Sequence, residues 1–262
     1  MPSREDHLLA RDLAGEAGRR LLALRERANV DDLRKAGDRE SHEFLISALT
    51  AARPGDAILS EEGKDDPRRL TADRVWIIDP LDGTREYGEP GRTDWAVHVA
   101  LWERSASVGR SGRPEGQHEG GLAAGAVALP AQGMTLSTAD PPQAPPRDPQ
   151  RPLRVTVSRT RPPRFVDALA AELGAELVPM GSAGAKVAAV ITGTVDAYIH
   201  AGGQYEWDSA APVAVAVVAG LHASRIDSSD PVYNQSDPLL PDLVVCRCEL
   251  GELVLANLAA VL

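Results

Sequence analysis

Apolar positions recur at helical spacing near the start of the chain, where Leu9, Leu13, Ala17, Leu21 and Leu24 predict an amphipathic helix over 5–27. After a turn over 29–37, a second helical pattern is built on Phe44, Leu45, Ala48 and Leu49, with Asp38 expected at its start. The period then changes. Residues 57–60 read as a short strand, and the β-branched and aromatic run 75–78 as a strand buried on both faces. Residues 95–102 alternate Trp95, Val97, Val99 and Leu101 against Ala96, His98, Ala100 and Trp102, again the period of a strand. Further strands are expected over 122–129 and 134–137, with a mobile hairpin loop over 104–121.

Proline and polar residues dominate 139–152, which is therefore the expected boundary between two lobes, 1–140 and 141–262. Beyond it strand and helix patterns alternate: strand 155–158, helix 163–173, strand 176–180, helix 184–191 and strand 195–199. That order predicts an α/β lobe behind an α+β lobe. A helix over 209–219 with Pro212 in its first turn, a strand over 243–247 and a helix from Glu249 complete the pattern.

Candidate chemistry lies where the 75–78 strand stops, at Asp79-Pro80-Leu81-Asp82-Gly83-Thr84. Pro80 fixes one backbone angle and Gly83 permits a tight turn, so Asp79 and Asp82 sit on a rigid corner. Two carboxylates about 4 Å apart repel by roughly 4 kcal/mol at an effective dielectric near 20, and require protons or a cation. A surface turn uses the same residue types, but the buried strand, the second aspartate and the threonine together favour a metal site. Glu61 and Glu62 end the short strand before this corner. Asp38 and Asp208 each stand at a helix start, where an aspartate taken by itself reads as a helix cap.

Gly181-Ser182-Ala183-Gly184-Ala185-Lys186 lies on a strand-to-helix connection, where helix N–H groups receive an anion or small residues let helix pack on sheet. Lys186 is one of three lysines in an arginine-rich chain and stands inside an otherwise apolar helix. His98 reads as a satisfied core or edge histidine.

Composition narrows the function classes. With 262 residues and 43% hydrophobic content, the chain is long enough for a sizeable core. A net charge of −10 argues against a nucleic-acid polymer as partner. No apolar run reaches bilayer length, and the first residues lack a signal-peptide core, so a cytoplasmic location is expected. Cys246 and Cys248 are expected reduced and buried together on one strand face.

Three motifs, Ser60-Glu61-Glu62, Asp79-Pro80-Leu81-Asp82-Gly83-Thr84 and Glu206-Trp207-Asp208-Ser209-Ala210-Ala211, occur in the order found in the inositol monophosphatase superfamily of metal-dependent phosphatases, which the chain resembles from about Leu8 to about Glu249. The Gly-Ser-x-x-x-Lys pattern of Gly181, Ser182 and Lys186 is most similar to the bacterial 3'(2'),5'-bisphosphate nucleotidases of the CysQ type, whereas His200 departs from a Tyr-Pro-Arg common in relatives.

The resemblance implies a layered αβαβα sandwich and two or three Mg²⁺ ions held by Glu61, Asp79, the Leu81 carbonyl, Asp82 and Asp208. It assigns the attacking water to Asp38 and Thr84, and substrate contacts to Glu61, Asp82, Gly83, Thr84, Ser182, Lys186 and Asp208. The implied reaction removes the 3'-phosphate of 3'-phosphoadenosine 5'-phosphate, and of its 5'-phosphosulfate, in sulfate assimilation, by a lithium-sensitive homodimer. Inositol monophosphatase and fructose 1,6-bisphosphatase activities share the metal site and stay open, as does a catalytically silent metal-dependent binding protein.

Overall fold

The structure, a computed structural model, describes residues 3–27, 32–105 and 120–262. Most of the loop expected over 104–121 and the first part of the turn expected over 29–37 lie outside them.

Two helices open the chain, α1 (Arg4–Arg25) and α2 (Leu33–Ala52). The first sheet follows: β1 (Ala57–Ser60), β2 (Arg74–Asp82), the short helix α3 (Thr84–Gly88), β3 (Ala96–Glu103), β4 (Gly121–Leu129) and β5 (Met134–Ser137). It is ordered β1-β2-β3-β4-β5, parallel between the first pair and antiparallel thereafter. The second sheet is interleaved with helices: β6 (Leu153–Ser158), α4 (Val166–Leu173), β7 (Ala175–Met180), α5 (Ala183–Ile191), β8 (Ala197–Tyr205), α6 (Glu206–Val218), β9 (Leu221–Ser224), β10 (Leu239–Arg247) and α7 (Gly251–Val261). Its order is β7-β6-β8-β10-β9.

The layering follows from strand periodicity. On β2, Trp76 and Ile78 pack against Leu13, Ala17, Leu21, Leu45 and Leu49 of α1 and α2, while Val75 and Ile77 point the other way, towards α5 and α6. Those two helices also meet Tyr198, Leu243 and Val245 of the second sheet, whose far face is covered by α4 and α7 through Val166, Leu169, Val254 and Leu258. The result is the expected αβαβα sandwich. A helix between two sheets is buried all round, which accounts for the alanine and valine content of α5 and α6. Gly125 on β4 is part of that fit, because a Cβ there would press into Ala214 of α6.

Several boundaries differ from expectation. β2 continues through Pro80 to Asp82, because the corner is a bulge: Asp79 faces His98 and Asp82 faces Ala96, so one extra residue is accommodated on β2. α2 starts at Leu33, which puts Asp38 in its second turn and excludes a capping role. α6 starts at Glu206, so Pro212 falls inside the helix rather than in its first turn. α4 starts at Val166 rather than at 163, β8 runs on to Tyr205, and β9 has no counterpart in the sequence reading. Cys246 is buried on β10, but the strand ends at Arg247 and leaves Cys248 exposed in a 3-10 turn, so the two do not share a face. No helix among the described residues is long and apolar enough to cross a membrane.

One ionic knot ties the first layers together. The carboxylate of Asp6, in the first turn of α1, accepts from Ser3 N at 3.0 Å, from Arg53 Nε at the end of α2 at 2.9 Å, and from Arg74 Nη2 at the start of β2 at 2.9 Å. Burial opposes ionisation of Asp6, but the Arg74 guanidinium, the Ser3 N–H and the Arg53 guanidinium outweigh it and hold the pKa at about 2. A depressed carboxylate pKa stabilises the fold above the ordinary value of 3.8, and that contribution is lost as pH falls through about 2. We expect Asp6→Asn to cost about 2 kcal/mol at neutral pH and to leave less acid sensitivity between pH 4 and pH 2. Urea unfolding of parent and variant at pH 7 and pH 3 checks this. Equal differences at both pH values would exclude the ionic origin.

Candidate active site

The cleft lies where strand ends of both sheets meet the N-termini of α5 and α6. It is lined by Glu61, Asp79, Leu81, Asp82, Gly83 and Thr84 from the first sheet, and by Ser182, Lys186, His200 and Asp208 from the second, among others. Open α/β sheets offer ligands this place because loops diverge at the strand ends.

Gly83 turns the chain out of β2 with φ of 84°, and a Cβ there would also crowd Ser182, Asp94 O and Trp95. Asp79 is buried and accepts from the N–H of Leu81 at 3.0 Å. Asp82, one turn of the bulge further on, is received by the start of α5: Ser182 Oγ donates to its Oδ2 at 2.6 Å and Gly184 N at 2.7 Å. The helix N-terminus that the sequence offered to an anion thus holds a carboxylate of the same chain. Ser182, at φ of 46°, also accepts from Ala185 N and so caps α5.

Asp208 reaches the cleft from the first turn of α6, where its Oδ2 accepts from Tyr205 N at 2.7 Å. It closes that helix start from within, three residues beyond the Tyr205 cap position. One oxygen each from Asp79, Asp82 and Asp208 lie within 4.8 Å of one another. Glu61 lines the same cleft and shares a hydrogen bond with Asp79.

Such crowding is visible in the protonation of the group. Burial and the neighbouring charges of Glu61, Asp82 and Asp208 raise Asp79 well above the carboxylate range. Burial and Asp82 push Asp208 up to about 7; burial and Asp208 push Glu61 up to about 7. Asp82 alone stays low, since the contact with His98 and the Lys186 and Ser182 neighbours overcome its burial. Carboxyls that must share protons when alone are the donor set of a hard divalent cation. All are oxygen donors, with no histidine nitrogen or thiolate among the three clustered groups, a set that suits a hard divalent cation.

Asp38 lies beside this cluster. Its Oδ1 is 3.3 Å from Thr84 Oγ1, which in turn lies 3.0 Å from the Leu81 carbonyl. Burial and Glu62 raise Asp38 to about 6, with the Thr84 hydroxyl opposing them. Two features absent from the sequence reading bring α2 this close. Ser41 Oγ donates to Pro80 O at 2.7 Å, and Gly37 leaves room for the Tyr87 ring and Leu81.

The remaining sequence candidates divide. Lys186 is buried, and its ammonium donates to the carbonyls of Gly181 at 3.2 Å and Ser182 at 2.8 Å, 5.2 Å from the centre of the Tyr198 ring. Burial lowers its pKa against the attraction of Asp82 and Asp208. His200 also lines the cleft; burial and Lys186 push it down to about 4, so it is neutral. Beside Lys186, the cleft is lined by Arg85, Arg159 and Arg161, which the sequence did not single out from the other arginines. Arg159 is committed to Glu86 at 2.6 Å and Glu89 at 3.0 Å.

A five-layer sandwich with hard carboxylates clustered at its strand ends fits the class of metal-dependent phosphatases. The chain belongs to the inositol monophosphatase family, whose model matches residues 9–259. Over 255 residues it is 51% identical to a protein of Mycobacterium leprae named 3'-phosphoadenosine 5'-phosphate phosphatase, covering 95% of this chain and 92% of that protein. It is 30% identical over 207 residues to the 3'(2'),5'-bisphosphate nucleotidase CysQ of Haemophilus influenzae, covering 76% of this chain and 74% of that protein. The fold is shared with the crystal structure of CysQ from Bacteroides thetaiotaomicron at a TM-score of 0.74 and 24% identity, over 94% of this chain and 98% of that one.

Proposed function

We propose that the chain is a Mg²⁺-dependent phosphatase that removes the 3'-phosphate of 3'-phosphoadenosine 5'-phosphate and of its 5'-phosphosulfate, in sulfate assimilation. The observation that carries this reading is the near full-length 51% identity to a phosphatase of that name, joined to a carboxylate cage of the right chemistry. In this reading Glu61, Asp79, the Leu81 carbonyl, Asp82 and Asp208 hold two or three ions. Bound there, Mg²⁺ would polarise the phosphoryl oxygens, lower the pKa of the attacking water and offset charge on the leaving alkoxide.

The protein's own groups do the rest. Thr84, fixed between Asp38 and the Leu81 carbonyl, orients the water, and Asp38 is the base that takes its proton. A carboxyl with a pKa near 6 is well matched to that task at neutral pH. Gly83 allows the substrate phosphate to approach the backbone, and Ser182 and Lys186 bound the substrate side of the cleft. A cytoplasmic homodimer, with lobes 1–140 and 141–262 meeting at the cleft, belongs to the same proposal and draws its support from the family resemblance.

The test is Mg²⁺-dependent phosphate release from 3'-phosphoadenosine 5'-phosphate beside inositol 1-phosphate and fructose 1,6-bisphosphate, with and without Li⁺. We expect the nucleotide to be preferred by at least about tenfold in kcat/KM, the discrimination that roughly 1.4 kcal/mol of added contact supplies. A preference for either of the other esters would keep the metal site and overturn the substrate; no Mg²⁺-dependent release from any would overturn the enzyme reading.

A further inference from the structure

His98 has no part in the roles assigned above, yet its ring lies against three of the segments that build the site. It projects from β3 and is fully buried. Nδ1 lies 3.0 Å from the carbonyl oxygen of Trp207, in the first turn of α6 and next to Asp208. Nε2 lies 3.2 Å from Asp82 Oδ2, an ion-pair distance without the alignment of a linear hydrogen bond. The ring edge also touches the first turn of α5: a Cβ on Gly184, the residue whose N–H donates to Asp82, would overlap Nε2. One rigid side chain therefore spans the β2 corner, the start of α5 and the start of α6.

Asp82 and Asp208 stand on different elements and are held by different groups, Asp82 by Ser182 Oγ and Gly184 N and Asp208 by Tyr205 N, so none of these bonds fixes one aspartate relative to the other. Asp82 follows a bulge, where ladder pairing is interrupted. Asp208 is fixed to its helix by one bond, to Tyr205 N. Any buried histidine needs polar partners; those of His98 are oxygen acceptors on two different site-bearing segments, so the ring ties the segments to each other.

We propose that His98 is a positioning residue that sets the separation of Asp82 and Asp208, and through it the affinity of the cage for a divalent cation. The role is geometric and depends on both ring nitrogens. It rests on the reading of those two aspartates as cation ligands. Groups that orient ligands from behind typically contribute 10- to 100-fold in metal affinity, about the size of effect expected here.

The experiment titrates the metal alone. Mn²⁺, which suits the same hard oxygen ligands, is bound to the full chain without substrate and its free concentration read by electron paramagnetic resonance, alongside thermal unfolding of the metal-free proteins. His98→Leu removes both contacts; His98→Asn puts an amide near the place of Nδ1, towards Trp207; His98→Gln reaches towards Asp82. We expect His98→Leu to weaken Mn²⁺ binding by at least about tenfold, with each amide variant recovering part of the loss.

Unchanged Mn²⁺ affinity in the folded variants, with only the melting temperature lowered, would overturn the proposal and leave His98 a packing residue. If His98→Leu does not fold, the two amide variants decide: affinity equal to the parent in both overturns it, and a loss in either supports it. Absence of Mn²⁺ binding by the parent chain would instead remove the cation reading beneath the proposal, an outcome seen before any variant is made.

Discussion

Asp79→Asn is expected to lose metal-dependent phosphate release by at least about 10³-fold, roughly 4 kcal/mol of transition-state stabilisation, while keeping its fold. Asparagine is nearly isosteric, and its carbonyl oxygen still accepts from the Leu81 N–H that Asp79 holds at 3.0 Å. What disappears is one negative charge from the centre of the cage, the one nearest to both Glu61 and Asp82 in its influence. Without metal that charge is unfavourable, since burial and like charges drive Asp79 far above its ordinary pKa. The variant should therefore melt no lower than the parent in a chelator, and should gain less than the parent when Mg²⁺ is added. Turnover at saturating Mg²⁺ and melting with and without the ion measure both halves. Near-parent activity would remove Asp79 from the site, and a variant that melts far lower would make its role structural.

The second large effect is expected at Asp38 and Thr84. Asp38→Asn and Thr84→Val should each lower kcat by about 10² to 10⁴-fold, the range of general-base catalysis, with Mn²⁺ binding kept within a few-fold. Because the hydroxyl and the carboxylate are 3.3 Å apart and act on one water in the proposed reaction, the double variant should be little worse than either single one. Multiplicative losses would mean that the two act separately. The pH profile adds a further check. Asp38 titrates at about 6, and its basic form is lost below that value, so the rate should fall as pH drops through about 6 and the Asp38→Asn variant should lack that limb. An unchanged limb would assign it to another carboxyl.

Both effects trace to residues that were legible in the chain. A buried β-branched strand ending in Asp-Pro-Leu-Asp-Gly-Thr is a local pattern: its burial, its corner and its charge follow from neighbours in sequence, and the structure keeps them together. The helix and strand periods likewise located nearly every element and, with the motif order, the sandwich and the family. Apart from β9, which has no sequence signal of its own, the differences lie mostly at the ends of elements. Asp38 and Asp208 were both expected at the start of their helices and both lie inside. The start of α6 is closed by a carboxylate reaching back to Tyr205, while α2 starts at Leu33 and carries Asp38 to the cleft by docking on Pro80 and Leu81 through Ser41 and Gly37.

The sequence by itself therefore determined which layers form and which carboxylates carry charge into the cleft, because hydrophobic period and corner geometry are short-range properties. Only the tertiary structure decided that Ser182 and the α5 N-terminus hold Asp82, that Lys186 points at its own helix start, and that His98 joins β3 to α6. The Lys186 bond spans only four residues, but the Asp82 and His98 contacts join residues about a hundred positions apart along the chain. A buried charge takes the partner that packing places within about 3 Å, and no local pattern records which partner that is.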